Sequence, residues 1–303
     1  MKSIKKVLKS KRQVVTFAEN FKVLNPQLPL PLTVIFTTYN EAPNIRAALE
    51  SVAAWVAEII VVDSFSTDET MEIVKNFGGI QHFQRAYFGP ADQKNWAIPQ
   101  AKNEWVLLMD ADERATPAMR EEIAEILRGP SDLKNKENDV VTNDKTWVIN
   151  DFDGYWIGFT HFFMGKKVRY SGWQNDKTVR LIRRDKCRYN GNRVHEEIVT
   201  EGLKIGRLVS KFDHYTFRDI EHFVQKQQRY AAWSAIDHEN KTGKITAFHF
   251  VIKPLFRFFK HYFLKLGVLD GKIGFIIAAV AAWSVFLRYV KIVENRQFRQ
   301  PKN

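Results

Sequence analysis

Three apolar runs limit what this chain can fold into. LTVIFTTYN (32–40), EIIVVDS (58–64) and EWVLLMD (104–110) are continuous apolar stretches, and Ile80–Gln84 is a further strand, short and poorly marked. Runs of this length without polar alternation belong to strands buried on both faces. Helical patterns fall between them. Pro43 stands where a helix can begin, and Ile45, Leu49, Val52 and Val56 follow at helical spacing. Thr67–Phe77 is a second amphipathic segment, with Thr67 and Asp68 as expected caps. Pro117–Leu127 is a third, with Thr116 as its N-cap. Buried strands alternating with helices predict an α/β fold, a mostly parallel sheet sandwiched by helices. From 146 to 217 the pattern changes to short aromatic strands with Gly turns, and from about 220 it is helical. The polar segment 129–145 is expected to be a surface loop.

The chain has 303 residues, 45% hydrophobic and 26% charged, which excludes disordered and low-complexity classes. A single cysteine, Cys187, excludes an intrachain disulfide and a cysteine-rich zinc site. The basic start is followed by no apolar run, so a secretory signal is not expected. Residues 1–30 carry seven Lys or Arg against one acid, and residues 246–303 carry ten against two, within a formal net charge of +12. The body between them is therefore close to neutral. A nucleic-acid groove on the body would require the opposite, whereas basic ends suit an anionic lipid surface.

In an open parallel sheet, ligands bind beyond the carboxyl ends of the strands. The first strand ends in Thr37-Thr38-Tyr39-Asn40-Glu41, the second in Asp63 followed by Ser64, Ser66, Thr67 and Asp68. The later one ends in Asp110-Ala111-Asp112-Glu113. Acids there can cap helices, but three such ends together favour a ligand. Two Asp residues one apart can share a divalent cation that clamps a diphosphate. Asp63 can accept hydrogen bonds from a base or ribose.

TVIFTTYNEAPNI, EIIVVDSFSTDETMEIV and EWVLLMDADERATPAMREEI resemble the inverting family-2 glycosyltransferases of GT-A fold, over about 33–128. RLIRRDKCRYNGNRVHEEIV (180–199) and residues 256–294 resemble the subgroup that includes lipopolysaccharide core glucosyltransferases, the latter its membrane-associating tail. The resemblance assigns Thr37, Tyr39, Glu41 and Asp63 to the nucleotide half of the donor. Asp110 and Asp112 become the DxD-type motif that meets a Mg or Mn diphosphate, and Gln93-Lys94-Asn95 matches an element that brings Lys94 to the phosphates. Glu196 matches the position of the catalytic base. Its neighbour Glu197 would face the other way in a strand. His195 is a candidate metal ligand, with His214 as its rival. Trp156, Trp173, Asp176 and Arg180 are candidate acceptor contacts, although core tryptophans and solvated strand-edge arginines are the plainer reading. Arg183 and Arg184 share that plainer reading.

Between 246 and 290 the chain carries eleven aromatics in 45 residues. Phe248, Val251, Ile252, Leu255, Phe256, Phe259, Phe263 and Leu266 recur at helical spacing, with Lys253, Arg257 and Lys260 on another face. This is the pattern of a helix in a membrane interface. A helix packed on the body would instead bury the aromatics. Ile273–Leu287 is only 15 residues long before Arg288, short of the roughly 20 needed to span. An interfacial hairpin turned at Leu269-Asp270-Gly271 is expected. The resulting organisation is a basic N-terminal segment and linker (1–30), a GT-A catalytic domain (31–219) and a helical membrane-associating tail (220–303). The expected activity is metal-dependent, inverting transfer from a nucleotide-sugar donor, a UDP-hexose, to a lipid-linked glycan or lipopolysaccharide core. The expected site is the cytoplasmic face of the inner membrane, without nucleic acid. The rivals are a polyprenyl-phosphate sugar synthase, which would share the donor half, and a basic membrane or nucleic-acid-binding scaffold. A sugar-nucleotide pyrophosphorylase is disfavoured, because no Gly-rich loop follows the first strand.

Overall fold

The computed structural model describes residues 29–128, 152–191, 196–217 and 219–299. Strand β1 (Leu30–Thr38) pairs in parallel with β2 (Val56–Asp63) and β4 (Trp105–Asp110), and β2 with β3 (Gln81–Gln84). Side chains alternate across this sheet, and both faces are covered. Leu32, Val34, Phe36, Ile59, Val61, Leu107 and Met109 enter one core, against helices α1 (Ala42–Ala53), α2 (Thr70–Phe77) and α4 (Pro117–Arg128). Ile35, Ile60, Val62, Val106 and Leu108 enter the other, with Ala97 of α3 (Pro90–Ala97). The unbroken apolar runs are therefore the product of two cores sharing one sheet.

After β4 the chain turns through Ala111 and Asp112 into β5 (Glu113–Arg114). In space the two strands are far apart in strand order. The sheet runs β3-β2-β1-β4-β8-β6-β9-β5, with β6 (Gly154–Phe163), β8 (Lys177–Arg183) and β9 (Ile205–Phe217) inserted, and β7 (Lys166–Val168) pairing with β6. Strand β8 is antiparallel to β4, β6 is parallel to β9, and β9 is antiparallel to β5. Two residues can join β4 to β5 only if the sheet curls back on itself. That curl brings His214 of β9 opposite Glu113.

Thr116 Oγ1 accepts the Met119 N–H at 3.3 Å, the expected cap of α4. The second helix begins at Thr70 rather than Thr67. The Thr67 N–H is taken by Asn40 Oδ1, and Asp68 accepts the N–H groups of both Thr70 and Ala42, so Asp68 serves two helix starts and Thr67 caps none. The expected surface loop 129–145 and His195 lie outside the described residues, as do residues 1–28.

The helical region comprises α5 (Ile220–Glu239), α6 (Ala247–Phe250), α7 (Ile252–Phe259) and α8 (Gly271–Arg299). A π-helical turn over 260–264 extends α7. Helix α8 is docked on the body. Its Ile273 and Ile277 pack with Phe163, Phe217 and Phe223, and its Val285, Tyr289 and Ile292 pack with Ala235 of α5. The hairpin turns where expected. Asp270 accepts the N–H groups of Arg169 and Tyr170 and the Ser171 hydroxyl, which fastens the turn to the body. A Cβ at Gly274 would collide with the Gly267 carbonyl, so only glycine permits this closure. Two sequence readings change here. Helix α8 continues unbroken past Arg288, because the half-buried guanidinium lies against the Tyr289 ring, 5.8 Å from its centre. Gly267–Phe298 is thus one helical stretch long and apolar enough, by length and composition, to cross a membrane, and 33% of its most apolar window is buried. The apolar side chains of α7 are not packed away: Leu255 and Phe256 are each 60% exposed and Phe259 48%.

Candidate active site

A cleft of about 680 Å³ opens beyond the carboxyl ends of β1, β2 and β4. Thr37, Tyr39 and Glu41 come to it from β1, Ser64 from β2, and Asp110 and Asp112 from β4 and the turn after it. The opposite wall holds Lys94, Glu196, His214, Lys226 and Arg229. Parallel strands place all three carboxyl ends on one edge, so residues distant in sequence become neighbours.

Asp63 is fully buried beneath this edge. Its carboxylate accepts from Thr38 Oγ1 at 3.1 Å, from Ser66 N and Oγ, and from Gln84 Nε2 at 3.3 Å. Those contacts use its acceptor positions within the protein. It orders the Ser64–Thr67 turn and does not line the cleft in this conformation.

Gln93, Lys94 and Asn95 point in three directions because successive helical residues are about 100° apart. Gln93 Nε2 donates to Ser64 Oγ at 2.9 Å. Lys94 Nζ lies 3.5 Å from Asp110 and 3.9 Å from Glu196. Asn95 exchanges two hydrogen bonds with the Tyr189 backbone, at 2.8 and 3.0 Å. One turn of helix thus joins the β2 end, the β4 end and the segment leading to Glu196. That segment is a short antiparallel pairing, Tyr189 with Ile198, reinforced by Asn190 N–H to Glu197 O at 2.9 Å. Glu196 faces the cleft and Glu197 is exposed to solvent.

The charges at the β4 end form a chain. Arg180 of β8 donates to Asp110 at 2.6 Å and to the fully buried Glu113 at 3.0 Å, and Glu113 also accepts the Asp110 N–H at 2.9 Å. Burial works against the Asp110 carboxylate, but Arg180 and Lys94 outweigh it and hold its pKa well below the ordinary value. Burial dominates at Glu113, with Asp110 adding repulsion against the pull of Arg180, and its pKa is pushed up to about 7. Burial opposes the Lys94 charge, yet Asp110 and its other anionic neighbours raise its pKa. Asp112 meets His214 Nε2 at 3.3 Å. This pairing lowers the Asp112 pKa and raises that of His214, in each case against burial.

Among the described residues no group of three ligating side chains is gathered at one point; Asp112 and His214 meet at 3.3 Å, with Asp110 lining the same cleft. An oxygen-rich pair with one imidazole still fits Mg or Mn, which keep waters and take substrate phosphates to complete their shell. His214 Nδ1 is buried without a hydrogen-bond partner. The neutral ring can carry its proton there and leave Nε2 free to ligate.

The structure brings Thr37, Tyr39, Glu41, Lys94, Asp110, Asp112 and Glu196 into one cleft. It does not bring Trp156, Trp173, Asp176, Arg180 or Glu197 to its wall. Trp156 packs partly against the second core, and Trp173 sits among Phe163, Phe217 and Phe223. Asp176 lies 3.3 Å from His161. Arg180 is buried behind Asp110, since strand alternation turns it inward. Arg183 and Arg184 pair with Glu104 and Asp185. Sequence reasoning missed Glu113 as the buried partner of Arg180, and missed Lys226 and Arg229. The latter stand on α5, an amphipathic helix with no motif, so only their one-turn spacing hinted at a shared face.

A cleft at the carboxyl ends of parallel strands, lined by two acids one residue apart, places the chain among the α/β proteins that take a ligand at that edge. Within that group, residues 33–189 match the family model for glycosyl transferase family 2, and the chain belongs to that family. Its fold is GT-A-like, with a mixed, curled sheet. The lipopolysaccharide core biosynthesis glycosyltransferase LpsC of Rhizobium meliloti is 27% identical over 280 residues, covering 90% of this chain and 96% of LpsC. An uncharacterized glycosyltransferase of Rickettsia felis is 27% identical over 267 residues, covering 87% and 90%. Among solved structures, S. aureus TarS 1-349 in complex with UDP is similar over 90% of this chain and 93% of its own, at 16% identity and a TM-score of 0.44. A mannosyltransferase from Pyrobaculum calidifontis in complex with GDP-Man and Mn2+ is similar over 92% and 83%, at 16% identity and a TM-score of 0.44.

Proposed function

We propose that the chain is a metal-dependent, inverting glycosyltransferase of the cytoplasmic membrane face. It moves a hexose from a UDP-sugar to a lipid-linked glycan or lipopolysaccharide core. One observation carries this reading: Glu196 lies 3.9 Å from Lys94, which lies 3.5 Å from Asp110, in the same cleft that Thr37, Tyr39, Glu41 and Ser64 line. The similarity to LpsC supports the acceptor class.

The nucleotide lies along the β1 and β2 ends, on the turn that Asp63 orders. Lys94, Lys226 and Arg229 present positive charge to the diphosphate. Asp110, Asp112 and His214 would hold a divalent cation, which would supply positive charge for the diphosphate leaving group. Glu196 accepts the proton of the acceptor hydroxyl as that oxygen attacks the anomeric carbon, and a single displacement inverts the centre. The exposed apolar face of α7 and the cations beside it lay the tail on an anionic membrane.

The test is substitution of the base. Glu196→Gln should keep donor-nucleotide binding and lose about 10²–10⁴-fold in turnover, while Glu197→Gln stays near wild type. Wild-type turnover in Glu196→Gln removes the assignment. Asp112→Asn or EDTA should abolish transfer, and the anomeric configuration of the product, read by NMR, checks inversion. Leu255→Glu/Phe259→Glu should free the chain from membranes without loss of donor hydrolysis.

A further inference from the structure

Helices α7 and α8 flank a groove of about 480 Å³. It is separate from the catalytic cleft and shares none of its residues. It is lined by apolar residues, Ile252 and Phe256 of α7 among them, and by the cations Lys253, Arg257, Lys260 and Arg288. No carboxylate lines it.

Four cations without an acid are unusual in a groove formed by two packed helices. Lys253 is accounted for, since its ammonium donates to the Tyr289 hydroxyl at 2.8 Å and lies 4.9 Å from that ring's centre. The two guanidinium groups have no acid beside them in the groove: Arg288 lies against the same Tyr289 ring, and the Nε of each arginine is buried without a hydrogen-bond partner. Burial and the Arg288 charge beside it both act against the Arg257 guanidinium and lower its pKa. Two like charges held together without a counter-charge are unfavourable unless an anion lies along them. General attraction to a charged surface needs only exposed lysines; two adjacent guanidinium groups in a groove without an acid call for an anion there.

We infer that this groove binds the phosphate of an anionic phospholipid, with Arg257 and Arg288 as donors and the acyl chains on the exposed face of α7. The charge of the lining identifies the phosphate. The lipid source follows from Leu255, Phe256 and Phe259, whose exposed side chains continue the apolar lining outward. The inference rests on the proposed membrane attachment of the tail, and goes beyond it in naming a stoichiometric site.

Its test uses the full chain in neutral detergent and two probes, dihexanoyl phosphatidate and inorganic phosphate. Phosphatidate should bind saturably with one site per chain, and inorganic phosphate should not compete at equal concentration. Arg257→Gln/Arg288→Gln should weaken phosphatidate binding about tenfold or more. Lys244→Gln/Lys272→Gln, which removes the same charge from exposed positions, should not. The arginine variant without lipid should melt at or above the wild-type temperature, since a repulsion has been removed. Absence of saturable binding overturns the proposal. So does equal loss in the lysine variant, which means surface charge alone. Equal binding of inorganic phosphate means a free-ion site, and a lower melting temperature means structural arginines. Flotation with phosphatidylglycerol vesicles separates the two readings: phosphatidate binding without flotation keeps the groove and removes membrane attachment, and flotation without phosphatidate binding does the reverse.

Discussion

Arg180 is the residue whose removal tests the structural account most directly. It holds two carboxylates at once, Asp110 at 2.6 Å and Glu113 at 3.0 Å. Arg180→Met keeps length and apolar bulk and removes the charge. The Asp110 contact opens to the cleft, so its loss costs about 1.5 kcal/mol, the low end for a charge-assisted bond. The Glu113 contact is sealed, and its loss costs about 3 kcal/mol. The sum, about 4–5 kcal/mol, agrees with the range for breaking a buried pair by removing one partner. It is a large part of the stability of an ordinary domain, about 5–15 kcal/mol. Urea unfolding followed by tryptophan fluorescence and far-ultraviolet circular dichroism measures it. The variant's loss should shrink by about 1–2 kcal/mol when Glu113→Gln is added, because the amide needs neither a buried charge nor the proton uptake that Glu113 requires without Arg180, while its oxygen can still accept the Asp110 N–H. A loss below about 1 kcal/mol in Arg180→Met, or plain additivity of the two substitutions, refutes the argument.

Three further outcomes are expected. Burial pushes the Cys187 thiol up to about 11, so the thiolate is absent at pH 8 and appears only as pH rises toward that value. Iodoacetamide should leave the native chain unlabelled at pH 8 and label it in urea, and stoichiometric native labelling contradicts the packing. Gly274→Val should lower stability by about 3 kcal/mol through the collision with Gly267, whereas Gly243→Ala, with open space around it, should be near neutral in the same melting assay. Asn95→Ala severs both bonds to Tyr189 and loosens the segment carrying Glu196; kcat should fall about tenfold with donor KM nearly unchanged, and a purely KM effect opposes this role.

The nucleotide edge was legible because strands buried on both faces leave continuous apolar runs, and each run stops where polar residues begin. Thr37, Asp63 and Asp110 could therefore be placed at strand ends without coordinates. The register beyond β4 could not. Nothing local in FDHYTF says that its histidine will stand beside Asp112, because that contact depends on the two strands, β8 and β6, that lie between β4 and β9. His214 was visible as a rival ligand and no more. Arg180 looked like one of three strand arginines; it stands within β8 and meets Asp110 and Glu113, whereas Arg183 ends the strand and Arg184 lies beyond it. The length of α8 was cut short at Arg288 by hydropathy, since an aromatic ring able to shield a guanidinium leaves no mark in a hydropathy average. Thr67 was read as a cap on composition, and lost the role to Asp68 through the positive-φ turn at Asn40, where φ is 54°.

The curl of the sheet also orders events during synthesis. Asp112 and His214 meet across 102 residues, and β5 has β9 as its strand partner. A ribosome that has delivered the chain only as far as α4 has made every acid of the nucleotide edge, but not the strands that close the seam behind it. Contacts of such separation form late, because a long loop must be closed before they repay its entropy. The cations of α5 arrive later still. A growing chain therefore carries no complete cleft, and donor turnover should appear only after the polypeptide has emerged beyond residue 229.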